Sequence, residues 1–220
     1  ERRMGGSEDE DDVPKLSDDV LAMVETVRRE QMEMEERAKE GKELPKEDWQ
    51  LSQFWYSEGT AVQLCEEVAA ACSDMKSATV ALLSTPTLLP YFKKLEAVIN
   101  GHLTVRLFEF DQRFGELYPE EFVFFDYQNW EELPSSLKSW FDFIVADPPF
   151  LAEECLRKFA QTIRYIGKEE SRVIVCTGAV MSGLVASELN ARILPFKPQH
   201  VNNLANDFSA YANYDVVRLK

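Results

Sequence analysis

Phe143-Ile-Val-Ala146-Asp147-Pro148-Pro149-Phe150 is the stretch of sequence that decides the fold. Its first half is a continuous apolar run, which is typical of a parallel strand covered on both faces by helices. Its second half places a carboxylate, two prolines and an aromatic ring at the end of that strand, where open α/β sheets hold their ligands. The stretch therefore predicts a buried strand that leads into a functional loop. A plain strand-ending turn, in which Asp and Pro are only good turn formers, is the alternative.

The tetrad Asp147–Phe150 has the chemistry that methyl transfer to an amine requires. The nitrogen lone pair must point in line at a sulfonium methyl group, so the nitrogen has to be held from several sides. Asp147 can accept one N–H, and the prolines fix the backbone so that the carbonyl near Pro148 can accept another. Phe150 offers a flat face to a planar or cationic group. The tetrad is therefore predicted to form the catalytic pocket.

Strand-like and helix-like segments alternate on both sides of this stretch. The apolar runs Val80–Leu83 and Val173–Cys176 resemble the run before Asp147, and helical patterns separate them. The predicted helices include Pro86–Val98, Leu151–Ile166 and Met181–Asn190. This βαβ rhythm predicts an α/β fold with a mostly parallel sheet. The stretch Arg192–Lys220 has two strand-like segments without a long helix between them, which predicts an antiparallel hairpin at one sheet edge.

The first 48 residues differ in composition from the rest of the chain. Residues 1–16 are rich in acidic side chains and poor in apolar ones, and are predicted to be a disordered acidic tail. Residues 17–48 are predicted to form an N-terminal helix and a linker, because Ser17 suits a helix start and Gly41 suits a helix end. Residues 49–220 are predicted to form one main domain.

The charge of the chain bears on its partners. The formal net charge of the 220 residues is −15. Proteins that grip duplex nucleic acid usually present clustered Lys and Arg, and the sequence has no such stripe, so the charge favours a basic partner. No run reaches the roughly 18 apolar residues of a membrane span, and no signal-peptide core is found, which predicts a cytosolic or nuclear protein, with the cytoplasm expected. Two histidines, His102 and His200, exclude a His-rich metal site.

Two further strand ends carry side chains suited to an adenosyl group. Glu109 and Asp111 lie at the end of the second predicted strand, Leu103–Phe110, where a carboxylate can accept hydrogen bonds from both hydroxyls of a ribose. Glu109 is the preferred candidate, and solvated acids are the alternative. Asp126 and Tyr127 end the third predicted strand, Glu121–Tyr127, and could hold the adenine amino group and stack on its ring. A surface turn is the alternative for this pair.

The remaining candidates lie at the first strand end and in two loops. Ser84 and Thr85 precede a predicted helix, whose free N–H groups suit a nucleotide-type ligand, although the usual glycine-rich fingerprint is missing. Phe54 and Tyr56 are candidate cofactor contacts, with core packing as the simpler role. The loop around His200 mixes polar and aromatic side chains. Its candidates for a substrate-reading lip are His200, Asn203 and Asn206, with a hydrogen-bonded structural loop as the alternative.

Several of these motifs occur together, in an order that resembles a known family. The motifs are Trp49-Gln-Leu-Ser-Gln-Phe-Trp-Tyr-Ser57, Phe108-Glu-Phe-Asp111, Asp126-Tyr127, Ala146-Asp-Pro-Pro-Phe150 with Glu153–Lys158, Cys176-Thr-Gly178 and Asn203-Leu-Ala-Asn206. They resemble the eukaryotic elongation factor 1A lysine methyltransferases, which were first described as N6-adenine DNA methyltransferases. The resemblance covers about Trp49 to Tyr214. It implies a Rossmann-like class I methyltransferase with a seven-stranded sheet, S-adenosylmethionine as donor and a lysine of elongation factor 1A as acceptor.

Three functions remain open from the sequence. The first is a protein-lysine methyltransferase, in which the lysine ammonium loses its proton with help from a desolvated channel and from Asp147 through a water. The second is an N6-adenine methyltransferase on DNA or RNA, because an Asp-Pro-Pro-aromatic turn also serves adenine and glutamine nitrogens. The third is a catalytically silent scaffold that binds partners through the N-terminal region.

Overall fold

The computed structural model of the chain describes residues 44–202 and 207–220. The predicted acidic tail and N-terminal helix lie outside the described residues, and the proposed domain boundaries stay a prediction. The described strands are β1 (Ala78–Leu83), β2 (Leu103–Glu109), β3 (Phe122–Phe124), β4 (Phe141–Ala146), β5 (Gly167–Gly178), β6 (Arg192–Ile193) and β7 (Phe208–Ala212). The described α-helices are α1 (Glu58–Ala71), α2 (Leu89–Phe92), α3 (Glu96–Ile99), α4 (Arg113–Leu117), α5 (Glu153–Ile166) and α6 (Ser182–Leu189).

The seven strands form one sheet in the order β3-β2-β1-β4-β5-β7-β6. The first five strands in that order are parallel, with Val80 of β1 opposite both Val105 of β2 and Phe143 of β4. Strand β7 is antiparallel to its neighbours β5 and β6, so it lies between them. The predicted parallel sheet with an antiparallel hairpin at one edge is confirmed.

Helices cover both faces of the central strands, which explains the apolar runs. Residues 143–146 of β4 are completely buried. On one face, α5 packs through apolar side chains spaced three or four residues apart, as expected for an amphipathic helix; these are Cys155, Leu156, Phe159, Ile163 and Ile166. On the other face, α1 packs through Leu64 and Val68. The helix begins after Ser57, whose side chain accepts a hydrogen bond from the Thr60 N–H.

The helix predicted over Pro86–Val98 is wrong as a single element. The structure has a 3₁₀ turn over Pro86–Leu88, followed by the short helices α2 and α3. Leu95 separates the two helices in an extended conformation, with φ −70° and ψ 135°. Its side chain packs against the hydrophobic core. Tertiary packing therefore overrides the local helical pattern.

Glu67 of α1 is completely buried and anchors the C-terminal end of the described chain. Its carboxylate accepts hydrogen bonds from the Tyr214 hydroxyl at 2.7 Å and from the backbone N–H groups of Val217, Arg218 and Leu219 at 2.9, 2.5 and 3.2 Å. A buried carboxylate is tolerated only when it is satisfied in this way. No helix in the described residues is both long and apolar enough to cross a membrane.

Replacing Glu67 by alanine is expected to lower the free energy of unfolding by about 3 kcal/mol or more, because four donors lose the buried carboxylate that accepts their hydrogen bonds. Chemical denaturation measures this loss. The control is Glu66→Ala, one residue earlier, whose side chain is 46% exposed and pairs with Arg218 at the surface. That surface pair is worth less than about 1 kcal/mol. Equal losses of unfolding free energy in the two variants would contradict the anchoring role of Glu67.

Candidate active site

A cavity of about 390 Å³ lies at the carboxyl ends of the parallel strands. It brings together residues from the strand ends, from the segment before α1 and from the loop before β7. The predicted site residues that line it are Phe54, Tyr56, Ser84, Thr85, Glu109, Asp126, Tyr127, Asp147, Pro148, Pro149, Phe150 and His200. Asn203 and Asn206 lie outside the described residues. Other lining residues were not singled out from the sequence, although each of the four named here lies within three residues of a predicted one: Gln53, Phe110, Leu151 and Phe208.

Asp147 lies directly after β4 and faces the cavity. Its backbone N–H donates to the Leu83 carbonyl at 3.0 Å, which continues the pairing of β4 with β1 beyond the last strand residue. Its Oδ2 atom accepts a hydrogen bond of 2.6 Å from the Tyr56 hydroxyl. Burial raises the pKa of Asp147 from 3.8 to about 7, the Tyr56 hydrogen bond opposes that rise, and the charge of Glu109 adds to it. Asp147 is half-buried and lines the cavity, so the rise in its pKa is fullest when a ligand rather than water fills the cavity.

The rest of the tetrad forms one wall of the cavity. Pro148 is buried and Pro149 is half-buried. The side chain of Phe150 is 43% exposed, and its ring centroid lies 6.1 Å from that of Tyr127. Leu151 also lines the cavity and packs so closely on Gly178 that a Cβ atom there would lie 2.8 Å from Leu151 Cδ2. This wall is therefore aromatic and apolar.

The loop after β1 makes a sharp turn although it contains no glycine. Ser84 adopts a left-handed conformation with φ 55°, a region that usually favours glycine. Its N–H donates to the Phe108 carbonyl at 2.8 Å, which holds the turn against β2. Thr85, which follows, is buried. A serine thus makes the sharp turn that places this loop in the cavity wall.

Glu109 and Asp111 are two positions apart in the sequence, but they have different surroundings. Glu109 is 7% exposed, lines the cavity, and accepts hydrogen bonds from the N–H groups of Phe110 and Asp111 at 3.0 and 3.2 Å. Burial raises its pKa from 4.5 to about 7. Asp111 instead accepts from Gln53 at 2.9 Å and pairs with Arg113 at 2.6 Å. Burial opposes ionisation of Asp111, but these partners outweigh it and lower its pKa.

Asp126 shapes the loop after β3. Its carboxylate accepts from the Gln128 N–H at 2.9 Å and from Asn129 Nδ2 at 2.8 Å, which caps the 3₁₀ turn that begins at Tyr127. The Tyr127 ring packs 6.0 Å from Phe159 of α5 and forms part of the cavity wall. The Asp-Tyr pair is thus both a capped turn and part of the cavity.

The segment before α1 pairs with the loop before β7 and closes the cavity on one side. The Ser57 N–H donates to the Gln199 carbonyl, and the Val201 N–H donates to the Trp55 carbonyl, both at 2.8 Å. Between them, Tyr56 and His200 form an antiparallel bridge, and their ring centroids lie 5.0 Å apart. Burial lowers the pKa of His200 to about 4, so its ring is neutral at physiological pH.

The lining suits a cationic ligand with an adenosyl part. Three carboxylates line the cavity, those of Glu109, Asp126 and Asp147, and no lysine or arginine of the described residues does so. Aromatic rings from Phe110, Tyr127 and other residues offer faces to a purine and to a positive charge. Carboxylates can accept from ribose hydroxyls. The residues present therefore fit S-adenosylmethionine, which has a ribose, an adenine and a sulfonium cation.

Solved structures share this architecture. A branched-chain polyamine synthase from Thermus thermophilus superposes with a TM-score of 0.55 at 14% identity, covering 84% of this chain and 67% of that chain. A Pyrococcus horikoshii protein, provisionally assigned as an RNA methyltransferase, gives a TM-score of 0.50 at 16% identity over 84% of this chain and 96% of that chain. At such identities the likeness concerns the fold alone.

The strand order and the cavity at the strand ends are those of the Rossmann-like class I methyltransferase fold. Residues 47–216 match the family described as probable N6-adenine methyltransferase. The chain belongs to this family, and it is similar to protein-lysine N-methyltransferases. One from Caenorhabditis elegans is 45% identical, covering 95% of this chain and 98% of the relative. EEF1A lysine methyltransferase 1 from Homo sapiens is 38% identical, covering 94% of this chain and 95% of the relative.

The pKa of Asp147 predicts how stability depends on pH. Because the folded value is about 7 and the ordinary value is 3.8, the folded state binds this proton more tightly than the unfolded state does. The stability that results is present in full below about pH 4 and is lost as the pH rises to about 7. Asp147→Asn removes this loss. The thermal midpoint of the variant minus that of the original protein should therefore be larger at about pH 8 than at about pH 5.

The control for this measurement is Asp142→Asn. Burial opposes ionisation of Asp142, but hydrogen bonds from Lys168 and Thr79 outweigh it and lower the pKa of this carboxyl. Its stabilisation is present above its ordinary pKa and is lost only in acid, so Asp142→Asn should lose stability at about pH 8. The expectation for Asp147 is refuted if both variants change with pH in the same direction.

Proposed function

We propose that this protein transfers a methyl group from S-adenosylmethionine to a lysine side chain of elongation factor 1A in the cytoplasm. The observation that carries the proposal is the charge of the cavity, which three carboxylates line without a lysine or arginine among the described residues. A lysine side chain is cationic, and a cavity of this charge raises its local concentration. The names of the similar relatives point to the same substrate.

The cofactor would occupy the side of the cavity under β1, β2 and β3. Glu109 accepts hydrogen bonds from the ribose hydroxyls, and the loop at Ser84 and Thr85 lies beside the cofactor. Asp126 and Tyr127 hold the adenine, and Phe54 and Tyr56 cover the cofactor from the segment before α1. Asp111 does not compete for the ribose, because Arg113 and Gln53 already use its carboxylate. When bound, S-adenosylmethionine supplies the electrophilic methyl group.

The lysine would enter beside the tetrad. Free lysine has a pKa near 10.4, so its amine must lose a proton before it can react. The aromatic and apolar wall around Phe150 excludes water, which favours the neutral amine. Asp147 accepts an N–H of the amine and takes up the proton, directly or through a water, and the carbonyl near Pro148 orients a second N–H. Orientation of the lone pair then supplies most of the rate enhancement.

The substrate backbone would contact the loop before β7. His200 lies in the cavity wall and is neutral, so it does not repel a lysine. Asn203 and Asn206 lie outside the described residues, and their role as substrate contacts stays a prediction.

The family description favours one second candidate, an N6-adenine methyltransferase. Adenine on DNA or RNA would need a neighbouring surface that neutralises phosphates. The cavity has the opposite charge. A lysine is therefore the better-supported acceptor.

The proposal is tested by incubating the protein with labelled S-adenosylmethionine and purified elongation factor 1A, or with DNA or RNA instead. Label is expected in the elongation factor, on lysine. Asp147→Asn should reduce turnover by about 100-fold or more, because the acceptor for the amine is weakened, while the Kd for S-adenosylmethionine changes by less than about 3-fold. Label in nucleic acid alone would overturn the choice of substrate, and equal losses of turnover and cofactor affinity would count against the role of Asp147.

Glu109 and Asp111 provide a matched pair for the cofactor site. Glu109→Gln is expected to weaken S-adenosylmethionine binding by about 10-fold or more, since a charged acceptor for the ribose hydroxyls is lost. Asp111→Asn should instead lower the thermal midpoint, because it breaks the pairing with Arg113 and Gln53, and should leave the Kd nearly unchanged. Calorimetric titration measures both affinities. A larger affinity loss in Asp111→Asn would reverse the assignment.

A further inference from the structure

The hydrogen bond between Tyr56 and Asp147 joins two distant parts of the chain at the acceptor side of the cavity. The two residues are 91 positions apart in sequence, and their oxygens are 2.6 Å apart. Tyr56 is 3% exposed, so its hydroxyl points into the protein rather than into solvent. Among the described residues, this hydroxyl is the hydrogen-bond donor to the Asp147 side chain, and it contacts Oδ2. The other oxygen, Oδ1, is left for a ligand.

The tyrosine itself is fixed from several sides. Its backbone forms the bridge to His200, flanked by the hydrogen bonds of Ser57 and Val201 described above. The Gln199 N–H adds a hydrogen bond of 2.8 Å to Thr60 Oγ1 in α1. The ring of Tyr56 packs on the His200 ring, which in turn meets the Phe208 ring edge-on at 5.0 Å. The hydroxyl is therefore held in place before any ligand binds.

We infer that Tyr56 is a positioning residue that fixes the Asp147 carboxylate through Oδ2 and so directs Oδ1 at the acceptor amine. The inference rests on the proposed function and adds a role to the cofactor contact proposed for this side chain. A carboxylate that is held by one oxygen cannot rotate freely. Its other oxygen therefore accepts the N–H of the amine from a fixed direction. That direction aligns the nitrogen lone pair with the methyl group. No bond to Tyr56 forms or breaks in the reaction.

The surroundings of Asp147 make the role of the hydroxyl measurable. The titratable groups that face its carboxyl are Tyr56 from the segment before α1, Glu109 from β2, Cys155 from α5 and Cys176 from β5. Burial raises the pKa of Cys155 to about 11 and that of Cys176 further, so both thiols are neutral. Burial also raises the pKa of Tyr56, so its hydroxyl stays protonated as a donor. Glu109 and Tyr56 are thus the groups that set the charge of Asp147, with opposite effects.

The test compares Tyr56→Phe with Tyr214→Phe. The first keeps the ring against His200 and removes only the hydroxyl that contacts Asp147. The second removes a half-buried hydroxyl that donates to Glu67, and neither of these residues lines the cavity. Methylation of elongation factor 1A is measured from about pH 6 to pH 10 for both variants. Tyr56→Phe should lower kcat by about 10- to 100-fold, because the carboxylate loses its alignment, with a small change in the KM for S-adenosylmethionine.

The pH profile separates positioning from a structural effect. Because the Tyr56 hydrogen bond lowers the pKa of Asp147, its loss should move the acid limb of the kcat profile to higher pH. Tyr214→Phe should lower the thermal midpoint and leave the limb in place. In an Asp147→Asn background, Tyr56→Phe should add less than about a 2-fold loss, because both changes act through one carboxylate. The inference would be overturned if the two substitutions reduced kcat independently, or if the acid limb of the kcat profile did not move in Tyr56→Phe. It would also be overturned if Tyr56→Phe reduced only the affinity for S-adenosylmethionine.

A measurement without substrate keeps this test separate from the proposed function. Carbon NMR of the Asp147 carboxyl is expected to report a higher pKa in Tyr56→Phe than in the original protein. An unchanged pKa would refute the positioning role even if lysine methylation is found. The expected shift in a protein that methylates no lysine would refute the proposed substrate and leave the hydrogen bond established.

Discussion

The hydrogen bond from the Tyr56 hydroxyl to Asp147 connects the sheet, the segment before α1 and the loop before β7 at one point. Removing a carboxylate from water favours its neutral form, and one strong donor restores much of its charge. These opposing effects leave Asp147 with a pKa of about 7, so it can both accept an N–H and take up a proton near neutral pH. Most other features of the site keep this carboxylate in place and keep cations near it.

The sequence predicted the parts of the fold that depend on local pattern. The apolar run before Asp147 and its two counterparts became the central parallel strands, because burial on both faces requires such runs. Long-range packing decided the parts that were missed. Leu95 leaves the helical path to reach the core, and the donors that satisfy Glu67 lie about 150 residues later in the chain. No short window of sequence contains either contact.

The candidate site shows the same division. Side chains at strand ends could be predicted, because parallel strands bring their carboxyl ends to one edge of the sheet. The left-handed turn at Ser84 could not, since its sequence lacks the glycine that usually marks it. The link between Tyr56 and Asp147 was equally hidden, because it joins an irregular segment to a strand end 91 positions later. The net charge of −15 suggested a basic partner, and the cavity has a matching local charge.

The most direct test is a crystal structure of the protein with S-adenosylhomocysteine and a lysine-containing segment of elongation factor 1A. The lysine nitrogen should lie about 2.7–3.2 Å from Asp147 Oδ1, and Tyr56 should still donate to Oδ2. The lone pair of that nitrogen should point toward the cofactor sulfur. A lysine nitrogen outside hydrogen-bond distance of Asp147, or an Asp147 side chain turned out of the cavity, would contradict the account.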